Sequence, residues 1–341
     1  AGLLFELSHN NYNNGHTFLP RRKLLEATSI LLEVPGEQLE DCLDALLRRG
    51  EAECEAVAGQ EAVYLPALCD AERFIAQEIT RMSRAELLPP EGLDKLIRRI
   101  EREQHISYAP QQRAAVELAA GRQVMLLTGG PGTGKTTCLR GVLALFERMG
   151  LETALAAPTG RAAKRLGELC STDASTIHRL LETGFDPRSG KLVFTKNSYD
   201  PLKADAVIVD ETSMVDVPLM AALLDALEGD CRLVLVGDPD QLPSVGPGTL
   251  FADLIRSGVV PTVRLTEIFR QAAQSAIVRS AHLINQGKVP DLRCNEGDFF
   301  CLARRDPKEV LDTIVDLCRR RLPERMGIPT DQIQVLSPTR R

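Results

Sequence analysis

The stretch Leu127-Thr128-Gly129-Gly130-Pro131-Gly132-Thr133-Gly134-Lys135-Thr136-Thr137 decides the fold of this chain. It fits the pattern G-x-x-x-x-G-K-[ST], with Gly129, Gly134, Lys135 and Thr136 at the fixed positions. The apolar run Val124–Leu127 before it predicts a buried strand. The glycines let the backbone turn so that its N–H groups face phosphate oxygens. The Lys135 ammonium is a point charge for outer phosphates, and the Thr136 hydroxyl suits Mg²⁺. A helix starting here turns its positive dipole end toward the anion. Gly130, Gly132, Thr133, Gly134, Lys135, Thr136 and Thr137 are therefore the candidate nucleotide contacts.

Downstream, short apolar runs alternate with helical patterns: Thr153–Ala157, Ala206–Val209, Leu233–Val236 and Val263–Leu265. That alternation predicts an α/β fold with a parallel sheet and crossover helices. The run Ala206–Val209 ends in Asp210-Glu211, two carboxylates at the strand edge where open α/β sheets bind ligands. Asp210 suits the Mg²⁺ shell, and Glu211 can accept a proton from an attacking water. Leu235-Val236 leads into Gly237-Asp238-Pro239-Asp240-Gln241 at the same edge. The Gln241 amide can donate to a γ-phosphate and accept from the water, so its loop can report nucleotide state.

Length and charge bound the rest. With 341 residues the chain suggests two or three domains. Its net charge of −6 argues against bulk attraction to nucleic acid, so any such site is a local basic groove. Trp is absent and there are only 4 Tyr, which disfavours a surface built on many stacked bases. The 9 cysteines are scattered without a C-x-x-C pair and signal neither zinc nor disulfides, only thiols in a reducing compartment. No apolar run approaches the roughly 18 residues of a membrane span. The start at Ala1 is not a signal peptide; lacking Met, it reads as that of a fragment.

Toward the N-terminus, Asn10, Asn11, Asn13, Asn14 and Gly15 predict a turn-rich entry. Two helices follow, then a hairpin turning at Ala58-Gly59-Gln60 and a third helix through Phe74, Ile79 and Met82. This order resembles a winged helix, a module that binds DNA or only packs against protein. Its second helix carries Glu37, Glu40, Asp41 and Asp44, which disfavours DNA reading by that helix. Leu88-Pro89-Pro90 marks a boundary, and the basic residues Lys95, Arg98, Arg99 and Arg102 after it read as a solvated face. The expected domains are residues 1–88, 89–261 with an inserted hairpin at about 184–199, and 262–341 with helices and a strand Gln334–Leu336.

The order of motifs resembles the superfamily 1 DNA helicases, and within them the RecD-like group. Ile106–Arg113 resembles its adenine-reading motif, with Gln112 the matching glutamine, and Gly129–Thr137 its motif I. Ala157–Ala163 and Thr176–Leu181 resemble motifs Ia and Ib, Asp210–Met214 motif II, Gly237–Pro243 motif III, and Leu265–Gln271 motif IV. The segment Val335–Arg341 is similar to the one that follows. The N-terminal module is similar to the one that precedes the motor in stand-alone bacterial members.

The resemblance implies two RecA-like domains, the second only begun because the chain ends before motifs V and VI, so that the motor is incomplete. It implies ATP and Mg²⁺ as cofactors, and Lys135, Asp210, Glu211, Gln241 and Arg270 as catalytic residues. Pro158, Thr159, Arg161, His178, Ser337 and Thr339 are the implied contacts to nucleic acid. The implied partners are single-stranded DNA and single/double-strand junctions, engaged by a monomeric cytoplasmic motor moving 5′-to-3′ in DNA repair or recombination. The inserted hairpin stands where the group carries its duplex-splitting pin. The alternative is a nucleotide-switched, DNA-binding regulatory subunit of a recombination complex that unwinds nothing itself.

Overall fold

In the computed structural model the asparagine-rich entry is a helix, α1 (Gly2–Asn14), rather than a run of turns. Leu3, Leu7 and Asn11 recur at helical spacing and are buried. The amides that favour turns elsewhere bond back along this helix instead. Asn10 and Asn13 donate to the carbonyls of Glu6 and His9 at 3.0 and 3.1 Å, and Asn14 donates to Asn10 Oδ1 at 2.8 Å. Gly15, at φ 68°, ends the helix in the left-handed region. The structure describes residues 1–185, 192–269, 274–293 and 297–337. Its contacts divide the chain into two units, residues 1–273 and 274–341.

In the first unit, strand β1 (Phe18–Pro20) leads to α2 (Arg21–Leu32), α3 (Gly36–Arg48), β2 (Glu53–Val57) and β3 (Gln60–Tyr64). The three strands form an antiparallel sheet in the order β1-β3-β2. Val57 pairs with Gln60 across a two-residue turn, with Ala58 and Gly59 both at positive φ, the conformation that suits the twist of a hairpin. The acidic residues of α3 are partly spent inside the module. Arg21 of α2 ion-pairs with Glu40 at 2.6 Å and Asp44 at 2.7 Å.

Helix α4 (Pro66–Arg84) follows. The sequence places it with the N-terminal module. The structure packs its Ile75, Ile79 and Met82 into one cluster with Val124, Leu126, Val207 and Leu233 of the large sheet. A boundary at residue 88 therefore does not separate two cores.

The large sheet is built from β4 (Val124–Gly129), β5 (Thr153–Ala157), β6 (Ala174–Thr176), β9 (Ala206–Val209), β10 (Arg232–Gly237) and β11 (Thr262–Leu265). All pairs are parallel, in the order β11-β4-β10-β9-β5-β6. Alternate residues of each central strand enter opposite cores. Val124 and Leu126 pack on the side of α4, α10 (Val217–Asp225) and α11 (Leu250–Ser257). Met125 and Leu127 pack against α5 (Leu93–Glu103), α6 (Pro110–Gly121) and α7 (Lys135–Arg148). Burial on both faces explains why these strands are continuously apolar rather than alternating. This six-stranded parallel sheet with helices on both faces is the RecA-like P-loop fold expected from the sequence.

Between β5 and β9 the chain forms α8 (Gly160–Cys170) and α9 (Ile177–Leu180), then a separate antiparallel pair, β7 (Thr183–Phe185) and β8 (Leu192–Phe194). The turn read at residues 186–190 lies outside the described residues. The boundary at residue 261 differs from expectation. Leu265 of β11 pairs with Gly129 of β4, so residues 262–265 complete the first sheet.

The second unit holds α12 (Ala276–Asn285) and α13 (Pro307–Asp316), which runs on through a π-helical turn, Leu317–Arg321, into α14 (Leu322–Met326). Residues 334–336, expected as a strand, are not one. A short extended segment forms a strand only beside a partner, and none lies among the described residues of this unit.

Because α4 shares the sheet's core, Met82→Ala is expected to cost about 2–5 kcal/mol of the sheet's stability. Urea unfolding followed by circular dichroism should show one destabilised transition. Two transitions, with only the smaller one shifted, would mean that α4 belongs to a separable module.

Candidate nucleotide site and nucleic-acid edge

The C-terminal ends of the parallel strands gather the predicted residues on one edge. The phosphate loop leaves β4 at Gly129 and enters α7 at Lys135, with Gly132 at φ 76° and Gly134 at φ 86°. Side chains are excluded at its two ends. A Cβ on Gly129 would lie 2.6 Å from Thr133 Oγ1 and 2.9 Å from the Leu265 carbonyl. A Cβ on Gly134 would strike Gln112 Nε2 and lie 3.0 Å from the Phe269 ring. Thr133 donates to the Gly130 carbonyl at 2.8 Å. The Lys135 ammonium lies inside the loop, donating to the carbonyls of Gly129 and, at 3.2 Å, Gly130. Thr136 and Thr137, in the first turn of α7, are half-buried.

Two strands away, Asp210 and Glu211 follow β9. Asp210 donates its N–H to the Ala156 carbonyl at 2.9 Å, and its carboxylate accepts the Glu211 N–H at 2.9 Å. Glu211 takes up φ 54°, a left-handed conformation unusual for a residue with a side chain. Burial pushes the Asp210 carboxyl above its ordinary range, opposed by the Glu211 N–H bond and then by the nearby charges of Lys135 and Arg165. Burial, and then the neighbouring Asp210, push Glu211 upward too. Desolvated negative charge of this kind suits a cation. Among the described residues no group of three or more His, Cys, Asp or Glu could hold a metal by itself. The residues that could hold Mg²⁺ here are Asp210 and Thr136; two protein ligands would leave the other positions of the ion to water and substrate phosphates.

The loop after β10 is shaped by Asp238, which is buried. Its carboxylate accepts the Asp240 N–H at 3.0 Å and its carbonyl accepts the Gln241 N–H at 3.2 Å. Gln241 is exposed beyond that turn. Gln112 is 3% exposed; its Oε1 accepts the Ala109 N–H at 3.0 Å, closing the start of α6.

Two residues at this edge went unremarked in the sequence. Gln111 clamps Thr266, accepting its N–H at 2.9 Å and donating to its hydroxyl at 3.0 Å. Phe269 donates its N–H to the Gly132 carbonyl at 3.3 Å and lays its ring by Gly134. The doubled Gln111-Gln112 was the available signal. Only the fold reveals that the two amides serve different neighbours. Arg270 and Thr339 lie outside the described residues.

The expected nucleic-acid contacts divide. Pro158 and Thr159 follow β5, and the Thr159 hydroxyl caps α8 by accepting the Ala162 N–H at 3.3 Å. Arg161 is exposed in the first turn of α8. His178 follows β6, exposed, with its ring 5.7 Å from that of Phe194 on the hairpin strand β8. Ser337 belongs to the second unit.

With this geometry in place, the comparisons are specific. The chain belongs to the AAA domain family, whose model matches residues 107–298. It is similar to the ATP-dependent RecD2 DNA helicase of Deinococcus radiodurans, at 34% identity over 299 residues, covering 85% of this chain and 40% of that one. It is also similar to the RecBCD enzyme subunit RecD of Mycolicibacterium smegmatis, at 44% over 168 residues, covering 42% of this chain and 30% of that one. The chain thus spans well under half the length of either relative. Among solved structures, a Pif1 helicase from Candida albicans overlaps with a TM-score of 0.41 and 24% identity, over 67% of this chain and 56% of that one. That overlap is too loose to add to the assignment. The resemblance to RecD-like superfamily 1 helicases, drawn from the motifs, holds. Among the described residues no helix is long and apolar enough to cross a membrane.

Gly134 offers a controlled test. Gly150 also has positive φ, at 74°, but a Cβ there meets nothing within 4 Å. Gly134→Ala and Gly150→Ala should share a backbone penalty of about 1–2 kcal/mol. Gly134→Ala should lose roughly 1–3 kcal/mol more from the collision with Gln112 and Phe269. Thermal unfolding of the two variants compares them; equal losses would mean that the loop is not packed as described.

Proposed function

We propose that this chain carries the ATP site of a DNA helicase that moves 5′-to-3′ along single-stranded DNA. The observation that supports it is the convergence on one sheet edge of the Lys135 loop, Asp210-Glu211, the Gln241 loop and the Thr266–Phe269 segment. A small-molecule kinase with a phosphate loop would leave the Gln241 loop without a task.

In this reading ATP phosphates lie along the loop from Gly130 to Thr137, and Lys135 turns its ammonium from the loop carbonyls to the outer phosphates. Thr136 and Asp210 hold Mg²⁺, which neutralises phosphate charge when bound. Glu211 takes the proton from the attacking water, and Gln241 orients that water and senses the γ-phosphate. Gln112 serves the purine side of the site, and Arg270 is the residue assigned to the γ-phosphate by the resemblance. Pro158, Thr159, Arg161 and His178, with Ser337 and Thr339, touch the DNA backbone. Contacts to backbone rather than bases suit a motor that must tolerate any sequence. In the same reading the β7–β8 hairpin, whose Phe194 ring lies 5.7 Å from that of His178, parts the strands of a junction. Work in DNA repair or recombination, in the cytoplasm and as a monomer, belongs to the same proposal.

A second reading has one observation in its favour. Several relatives are named as subunits of RecBCD, so this chain, too, can serve within a complex. Strand displacement by the intact protein, free of other subunits, separates a motor from a regulatory subunit.

The direct test is ATP hydrolysis with and without single-stranded DNA, in the protein and two variants. Glu211→Gln should retain Mg·ATP and lose about 10²–10⁴-fold in turnover. Lys135→Ala should abolish ATP-driven strand displacement by the intact protein while nucleotide-free DNA binding stays nearly unchanged. Wild-type turnover in either variant would remove that residue from the site.

A further inference from the structure

The loop that carries Gln241 does not end at the nucleotide edge. It runs on to Gly246-Pro247-Gly248-Thr249 before α11, and this second end is threaded between α10 and the N-terminal module. Gly248 donates its N–H to the Gly15 carbonyl at 2.9 Å, at the cap of α1. On the other side Val217, the first residue of α10, donates to the Pro247 carbonyl at 3.0 Å. Ser244 ties the turn internally, donating to the carbonyls of Gly246 at 3.0 Å and Gly248 at 2.7 Å.

The slot has no slack. A Cβ on Gly246 would collide with the Asp216 carboxylate. Gly248 has φ 99°, and a Cβ there would lie 2.5 Å from Val217 Cγ2 and 3.4 Å from Thr17 Cγ2. Between Asp238 and this slot the loop stands out from the body, with Leu242 83% and Val245 87% exposed. It is thus held at both ends and exposed between them, with Ser244 fastened to the second end. Next to the slot, a cleft of about 800 Å³ separates Phe18, Leu19 and Tyr64 of the module from Leu250 and Leu254 of α11. The junction is therefore tight around the loop and open beside it, and Gly15 and Thr17 lead directly into β1, whose Leu19 belongs to the module's core.

We propose that the N-terminal module is a reader and regulator of nucleotide state, coupled to the γ-phosphate through the Asp238–Thr249 loop. A displacement of Gln241 on binding ATP moves a loop whose other end cannot yield locally, so it is passed to Gly15–Thr17. Coupling between sites is reciprocal, so a ligand or strain at the module should alter nucleotide affinity in turn. The proposal gives residues 1–64 a task independent of whether α3 touches DNA. It rests on the nucleotide reading of the Lys135 loop.

Hydrogen exchange by mass spectrometry on the full chain tests it, with Mg·ADP, with a non-hydrolysable Mg·ATP analogue, and without nucleotide. Both nucleotides should protect residues 129–137. Only the ATP analogue should change exchange in peptides covering 12–20 and 244–250, by about threefold or more. Protection of 129–137 without that change, or an equal change with ADP, overturns the coupling. No protection of 129–137 by either nucleotide overturns the nucleotide reading, and the coupling with it. A second arm uses Gly15, at φ 68°. Asparagine tolerates that conformation and β-branched residues do not. Gly15→Val should therefore shift the ATP hydrolysis rate by about threefold or more while Gly15→Asn stays near wild type. A folded Gly15→Val protein with unaltered hydrolysis contradicts the proposal. If Gly15→Val does not fold, the exchange result decides.

Discussion

The constraint on which the structure depends is the burial of β4 on both faces. Val124 and Leu126 enter one core, Met125 and Leu127 the other, and all four are essentially inaccessible. A strand so enclosed has no freedom in register, because a slip of one residue would exchange its two faces. The loop it launches is therefore delivered to a fixed place. The same holds for β9 and β10, whose residues also alternate between the two cores. Asp210 and Asp238 each follow one of these strands directly, so the positions of the polar groups are set by apolar packing beneath them.

The edge itself then runs against what stability alone would favour. Asp238 is buried, Asp210 is partly withdrawn from water, and Glu211 is held at positive φ. Buried charge and unusual backbone both cost free energy and persist where the surrounding fold fixes them. Gln111 on Thr266 and Phe269 on Gly132 tie the chain after β11 to the same edge. The segment leading toward Arg270 is thus anchored by groups that border the phosphate loop.

Much of this was legible in the sequence, and the reason is local. The phosphate loop, the acidic strand end and the Gly-Asp-Pro-Asp turn each spell their own backbone geometry, and parallel strands buried on two faces give unbroken apolar runs. What stayed hidden depended on neighbours distant in sequence. The asparagines of α1 favour turns in isolation, and only burial of Leu3 and Leu7 makes a helix of them. The face of α4 that meets the sheet is as apolar as one meeting a small module would be, so its allegiance could not be told from periodicity. The edge strand β11 lies far along the chain from its partner β4, and its apolar run gives no address. For Gln334–Leu336 no pairing partner lies among the described residues of the second unit.

The central claim is that these separate loops compose one nucleotide site. The most direct measurement is anomalous diffraction from crystals grown with Mn²⁺ and a non-hydrolysable ATP analogue. The account predicts analogue phosphates along residues 130–137 and a Mn²⁺ peak at ligand distance from the Thr136 hydroxyl and the Asp210 carboxylate or a water it holds. A nucleotide bound elsewhere, or a Mn²⁺ peak remote from both residues, would contradict it.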